Sequence, residues 1–324
     1  MLPLAMDRIQ LELPFEKKEF VEFLETAGLR FEPCEEYYVL RDAGKIIATG
    51  AIDGNRIKLL ATAADHRETG LLPKIVTGLK DRLYAKGHEN VFLFTKPTYG
   101  PWFTSLGFQL LVKTDEIAFL VDRMDPYVHF IDRLKGRGSF DGAIVMNANP
   151  FTLGHRYLVE EAIKQCERLI IFVVEEDCSR FSYEKRLEMV QSGTSDLNVT
   201  VVRSGPFMIS KNTFPTYFLK ESSDIGRAYA KLDAALYFER IAKDASIQKR
   251  FVGTEQRDDA TAMYNEVLSR KAMEDNFQLI EIPRKIKHGE VISASLVRQI
   301  LDGGPGDLSE YVPESTLRIL NKGR

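Results

Sequence analysis

Thr152-Leu-Gly-His155 sets a hydroxyl, a residue without a Cβ and an imidazole in one helical turn, directly after an apolar run, Ala143 to Met146, and Asn147-Ala-Asn-Pro-Phe151. The apolar run reads as a strand and the residues after Thr152 as a helix. The set therefore lies at a helix entry, where unpaired backbone N–H groups and the helix dipole attract an anion. His155 can donate there to a phosphate oxygen and stabilise the charge that develops as pyrophosphate leaves. A histidine that only caps or packs the helix start fits the turn equally well. Gly154 admits a close backbone approach that a side chain would obstruct, or serves helix packing.

A second segment far downstream, Ile292-Ser-Ala-Ser-Leu-Val-Arg298, has matching chemistry. Ser293 and Ser295 can cap a helix, and Arg298 falls one turn inside it, where its guanidinium suits a phosphate. Capping explains the serines but not their pairing with Arg298. Two anion-ready helix starts point to nucleoside triphosphate chemistry, with Thr152, His155 and Arg298 as catalytic candidates and Gly154, Ser293 and Ser295 as nucleotide contacts. Asn147 and Asn149 in the first turn join the nucleotide candidates, as does Arg180 in the charged loop Glu175 to Arg186. Arg180 and Arg186 either reach phosphate or remain solvated charge. Gly253, which opens Gly253-Thr-Glu-Gln-Arg257 at the end of a strand candidate, either contacts adenine or ribose or serves a turn. No residue is singled out as a metal ligand.

The elements around these motifs fall into two groups. In residues 1–125, a helix with Phe20, Phe23, Leu24 and Ala27 at helical spacing precedes strand candidates at Tyr37 to Leu40, Lys45 to Thr49 and Arg56 to Leu60, separated by Asp/Gly/Asn turns. A helix from Gly70 to Lys86, a strand at Val91 to Thr95 and two short strands around Lys113 to Asp115 follow, which predicts an α+β domain. Regularity weakens over 126–141, read as a connecting segment. From 142 to 324, strand candidates at Ala143 to Met146, Leu169 to Val174, Val199 to Val202, Phe251 to Gly253 and Leu279 to Ile282 alternate with helices. Such alternation predicts an α/β, doubly wound parallel sheet, with ligands beyond the carboxyl ends of its strands. The Asn147 to His155 turn would stand at one of those ends.

With 44% hydrophobic and 28% charged residues and a formal net charge of -3, the chain has no bulk attraction for nucleic acid. The cysteines, Cys34, Cys166 and Cys178, are widely spaced and odd in number, so neither a disulfide framework nor a zinc cluster is expected, and a reducing cytoplasm is the expected setting. No apolar run is long enough to predict a membrane span.

On Thr152-Leu-Gly-His155, Phe181-Ser-Tyr-Glu-Lys-Arg186 and Ile292 to Arg298, residues 142–324 resemble the nucleotidyltransferase superfamily. One departure is that the usual glycine-and-acid turn is replaced by Asn147-Ala-Asn149. The first domain resembles GNAT acetyltransferases in Arg67-Glu-Thr-Gly-Leu-Leu72 and Trp102 to Phe108; Leu72 stands where that family has a small residue, which predicts a crowded or incomplete coenzyme A pocket. The order of these two domains, together with Asn147 to His155 and Asn212 to Phe218, resembles the citrate lyase ligase family over nearly the whole chain. The resemblance implies an AMP-forming ligase that uses ATP and Mg2+, activates acetate as acetyl-adenylate and acetylates the thiol of the phosphoribosyl-dephospho-coenzyme A group on the citrate lyase acyl carrier subunit. The metal would be held largely by phosphate oxygens and water. The alternative is a nucleotidyltransferase that joins a nucleotide to a phosphorylated acceptor.

Overall fold

The computed structural model describes residues 5–66, 69–175, 179–210, 214–219, 222–254 and 259–322. The chain forms two compact units, Met1–Val128 with Pro215–Ala228, and His129–Phe214 with Tyr229–Arg324.

The first unit begins with β1 (Met6–Ile9) and α1 (Pro14–Thr26), then β2 (Glu36–Asp42), β3 (Lys45–Asp53) and β4 (Arg56–Thr62). Next come α2 (Leu71–Ala85), β5 (Phe92–Thr95), α3 (Gly100–Ser105), β6 (Gln109–Lys113) and β7 (Ala118–Val121). The strands form one sheet in the order β1-β2-β3-β4-β5-β7-β6. Neighbours are antiparallel except β4 and β5, which pair parallel at Arg56 with Phe92 and Ile57 with Leu93. Ile75, Val76, Leu79 and Leu83 of α2 share a helical face, and that face covers the sheet residues Tyr38, Ala48, Ile57 and Leu93. Beyond the short β4–β5 ladder lies a cavity of about 330 Å3, walled by Leu60, Leu72, Phe94, Trp102, Tyr217 and Phe218 among others. Leu72 is among the residues that line this cavity. Gly70 precedes α2 with φ 75°, a left-handed conformation that favours glycine. Arg67 lies outside the described residues.

Segment 126–141, expected as a connection, contains most of α4 (Asp125–Lys135). Segment 215–228, expected in the second domain, groups with the first unit. It is bound there by Glu32, whose Oε2 accepts from the backbone N–H groups of Thr216 at 2.9 Å and Tyr217 at 3.1 Å, while the Arg30 N–H donates to the Tyr217 carbonyl. The same Glu32 pairs with buried Lys58.

The second unit continues with β8 (Gly142–Met146), α5 (Leu153–Ala162), β9 (Leu169–Val173), α6 (Tyr183–Gly193) and β10 (Val199–Arg203). After α7 (Ser222–Ala235), whose residues up to Ala228 group with the first unit, come β11 (Lys249–Gly253), α8 (Asp259–Glu274) and β12 (Gln278–Ile282); the hairpin β13 (Ile286–Lys287) and β14 (Glu290–Val291), α9 (Ala294–Leu301) and α10 (Glu314–Asn321) complete the second unit. The sheet order is β10-β9-β8-β11-β12, every pair parallel. This is the doubly wound α/β arrangement that the alternating pattern implied, and its strands read as continuous apolar runs because both faces are covered. Between β8 and β11 the strand order reverses, and in sheets of this kind ligands bind beyond the carboxyl ends of the strands at such a point. No helix among the described residues is long and apolar enough to cross a membrane.

Candidate functional site

The turn between β8 and α5 follows the carboxyl end of β8 at that point of reversal. Thr152 takes the N-cap position of α5 in an extended conformation, and its hydroxyl accepts from the His155 N–H at 3.3 Å. In return, His155 Nδ1 accepts from the Thr152 N–H at 3.0 Å, and the Thr152 hydroxyl lies 2.9 Å from the same nitrogen. The two residues therefore satisfy each other's orphan groups as in a capping box, with the imidazole in place of the usual carboxylate. Accepting at Nδ1 puts the ring proton of the neutral form on Nε2, which makes that nitrogen a donor. Buried Phe151 stacks on the ring, with centroids 5.7 Å apart and planes 16° from parallel.

His155 as a whole residue is half-buried, and protein atoms crowd its imidazole. The crowding governs its titration: burial first, and the Arg284 guanidinium second, push its pKa down to about 4. His155 is a neutral hydrogen-bond donor at physiological pH, not a cation. Thr152 is 1% exposed, so its hydroxyl serves His155 rather than solvent. The capping reading of the turn and the donor reading are therefore one arrangement, because the cap fixes the tautomer.

Gly154 explains how the second motif reaches the first. A Cβ added there would sit 2.4 Å from the Ile292 carbonyl oxygen, a backbone atom unable to swing away. Only glycine lets the chain entering α9 touch the first turn of α5. Ser293 caps α9, its hydroxyl accepting from the Leu296 N–H at 3.1 Å. Arg298 donates from one terminal nitrogen to the Asn149 carbonyl at 2.6 Å, and from the other to the hydroxyl of exposed Ser295 at 2.9 Å. The structure thus brings Gly154, His155, Asn149, Ser293, Ser295 and Arg298 into one neighbourhood.

The two asparagines, unexplained by their types alone, fasten the turn to the loop after β9. Arg186 lies fully buried and donates to the Asn147 carbonyl at 2.7 Å, the Asn147 side-chain oxygen at 2.6 Å, the Val174 carbonyl at 3.0 Å and the Phe181 carbonyl at 3.2 Å. The Asn149 side-chain oxygen accepts from the Phe181 N–H at 3.2 Å. Arg186 is therefore neither a phosphate contact nor a surface charge; it is a buried strut that ties the ends of β8 and β9 to α6. Between the asparagines, Ala148 holds φ at 49°, a left-handed conformation that costs an ordinary residue roughly 1–2 kcal/mol.

Arg180 is exposed and pairs with Asp302 at 2.6 Å, with a second contact to the Arg298 carbonyl at 3.3 Å. Gly253 ends β11, and its carbonyl accepts from the Asn265 side chain at 3.1 Å. A Cβ there would meet only the Arg284 side chain at 3.6 Å, so no contact requires glycine. Ser182 occupies the N-cap of α6 without a side-chain bond. Lys287 and His288 both lie near Glu310, at 3.3 and 3.7 Å, as a surface cluster. Glu255 to Arg257, Cys178 and Asn212 lie outside the described residues.

Arg284 was missed by reading the chain alone. Two residues past β12 it follows Pro283 in a basic stretch, with nothing local to distinguish it from Lys285 or Lys287. Spatially it stands at the carboxyl end of β11, against Gly253, and acts electrostatically on His155. Lys285, next to it, lies over the Tyr157 ring of α5 with its Nζ 5.7 Å from the centroid, and its carbonyl accepts from the Ile292 N–H. This loop thus carries a cation to the same helix start. Among the described residues no group of three or more His, Cys, Asp or Glu side chains could hold a metal ion.

Residues 141–320 match the model for the citrate lyase ligase C-terminal domain. Over 313 residues, 93% of both chains, the sequence is 37% identical to the [Citrate [pro-3S]-lyase] ligase of Haemophilus influenzae. The chain belongs to the citrate lyase ligase family. Other family members include the Escherichia coli ligase, 36% identical over 91% of this chain and 86% of its own, and the Klebsiella pneumoniae ligase, 35% identical over 98% and 97%. Both units fall within these matches, so membership of the family extends to the first unit and its cavity.

Proposed function

We propose that the protein is an ATP-dependent, AMP-forming ligase that activates acetate and acetylates the prosthetic thiol of the citrate lyase acyl carrier subunit. The observation that carries this reading is the contact of Gly154 with the Ile292 backbone. It joins a helix start bearing a neutral imidazole donor to one bearing Arg298. Converging donors at paired helix starts suit a polyanion whose charge shifts during reaction.

In this reading the triphosphate lies across the starts of α5 and α9. His155 Nε2–H donates to a phosphate oxygen, Arg298 and Arg284 supply fixed positive charge, and Thr152 acts one step back by holding the His155 tautomer. Ser293 and Ser295 line the α9 side. An acetate oxygen attacks the α-phosphorus, the bond from that phosphorus to the bridging oxygen breaks, and pyrophosphate leaves with the electron pair. The thiol sulfur of the carrier then attacks the acetyl carbonyl carbon, the bond to the AMP oxygen breaks, and the thiol proton passes to solvent or phosphate. Positioning and charge stabilisation are what this requires of the protein, and no protein nucleophile takes part. Any Mg2+ would enter with the triphosphate, held by its oxygens and water.

The test is product analysis with acetate and the carrier subunit. AMP and pyrophosphate in equal amounts, dependent on both, are expected, as is acetate-dependent exchange of labelled pyrophosphate into ATP without carrier. ADP as sole nucleotide product, or a stable nucleotide conjugate, would overturn the proposal.

A further inference from the structure

A second cleft in the same unit, of about 610 Å3, lies between α4, α6 and β10 and takes no part in the nucleotide site described above. Its floor is apolar: Phe130, Leu134 and Val202 are buried, and Gly205 at φ 66° lets the chain turn against the Phe130 ring, 3.2 Å from where a Cβ would project. Its rim is cationic. Arg133 from the last turn of α4, Arg137 just beyond it and Arg203 from the end of β10 all line it, against one carboxylate, Glu175.

Two of the three rim arginines make no structural pair among the described residues. Arg133 and Arg137 are exposed, both line the cleft and neither makes an ion pair among the described residues. Favour for cations at a helix carboxyl end accounts for those two, but not for Arg203, which comes from a strand, pairs with exposed Glu184 at 2.9 Å and lies over the Tyr183 ring. In a chain of net charge -3, three guanidiniums around an apolar floor form a local contrast. Guanidinium forks suit phosphate, and an apolar floor suits the flat face of a base or a ribose edge.

The cleft also adjoins the proposed reaction centre. Arg186 holds Asn147 and the Val174 carbonyl; Leu187, the next residue of α6, and Glu175, the residue after Val174, both line the cleft. We propose that this cleft binds the phosphorylated nucleotide end of the prosthetic arm on the carrier protein. This rests on the reading that a carrier thiol accepts the acetyl group. The arm would be anchored here by its phosphates while its thiol end runs to the adenylate.

The experiment uses the full chain with Arg133 and Arg137 replaced together by Gln, and Arg203→Gln alone as a second variant. Three quantities are measured: acetate-dependent ATP–pyrophosphate exchange without carrier, KM for the carrier in the complete reaction, and Kd of free dephospho-coenzyme A by calorimetry. Unchanged exchange with a tenfold or greater rise in both carrier KM and dephospho-coenzyme A Kd is expected. A raised carrier KM with an unchanged Kd would put these arginines on the carrier's protein surface and overturn the nucleotide site, as would both values unchanged. If the wild-type chain shows no exchange, the ligase reading fails by itself. The calorimetric Kd still decides the cleft, with equal binding by wild type and variant overturning it.

Discussion

Replacing Gly154 with Ala adds one methyl group where the chains entering α5 and α9 touch. The new Cβ would begin 2.4 Å from the Ile292 oxygen, and ordinary contact begins at 3.4 Å, so the two segments must separate by 3.4 − 2.4, about 1 Å. Backbone lies on both sides, hence no rotamer change absorbs the strain. Displacement of this size between groups that share one substrate costs on the order of 100-fold in rate, equivalent to about 2.7 kcal/mol of transition-state stabilisation. Overpacking should cost roughly 1–3 kcal/mol of folding stability. The assay is acetate-dependent ATP–pyrophosphate exchange, run beside a denaturant titration to show that the variant is folded. Gly253→Ala is the control, because its Cβ meets only a flexible arginine at 3.6 Å; it should keep exchange within about threefold. Full exchange activity in Gly154→Ala would refute the claim that the two helix starts must meet at this distance.

Titration of His155 should appear in stability. Its folded pKa, about 4, lies below the ordinary value of 6.5, so on acidification the unfolded chain takes the proton first. This contribution is fully present above pH 6.5 and declines by up to about 1.4 kcal/mol per pH unit down to pH 4. His155→Gln should flatten that part of the stability curve, and Arg284→Gln should raise the His155 pKa seen by NMR while raising KM for ATP. Arg186→Lys should lose about 3 kcal/mol or more in urea titrations, since one ammonium cannot serve the acceptors that the buried guanidinium satisfies; a loss under 1 kcal/mol would contradict the strut. Asp302→Asn frees Arg180 from an exposed pair, so the melting midpoint should move little while KM for ATP falls if that guanidinium reaches phosphate.

The fold was legible wherever burial imposes a period. The runs at Ala143, Leu169, Val199, Phe251 and Leu279 became the strands of the parallel sheet, and the turn-separated runs before Leu60 became an antiparallel meander. Both motifs were found at helix starts because Thr152 and Ser293 carry capping chemistry that acts within three residues. What escaped was chemistry whose partner is remote. Asn147 looks like a turn residue until Arg186 is seen to need its oxygens, and Asn149 until its own accept from the Phe181 N–H and from Arg298. Arg186 sits in a charged stretch, Phe181 to Arg186, that local polarity assigns to the surface. Arg284 gains its place from β12 and the hairpin after it, and no local pattern marks the one basic residue of that loop that ends beside His155.

Glu32 and the segment from Thr216 have a consequence for how such a protein can be divided or inherited. Tyr217 and Phe218 wall a cavity whose other sides come from residues before position 104, and the Glu32 carboxylate holds the backbone N–H groups of Thr216 and Tyr217. A gene cut once, at 128, would yield an N-terminal piece with one wall of its cavity gone and Glu32 stripped of two backbone donors. Recombination between family members should therefore respect three crossing points in the chain rather than one, and chimaeras that swap 1–128 without 215–228 should express as insoluble or cavity-impaired hybrids.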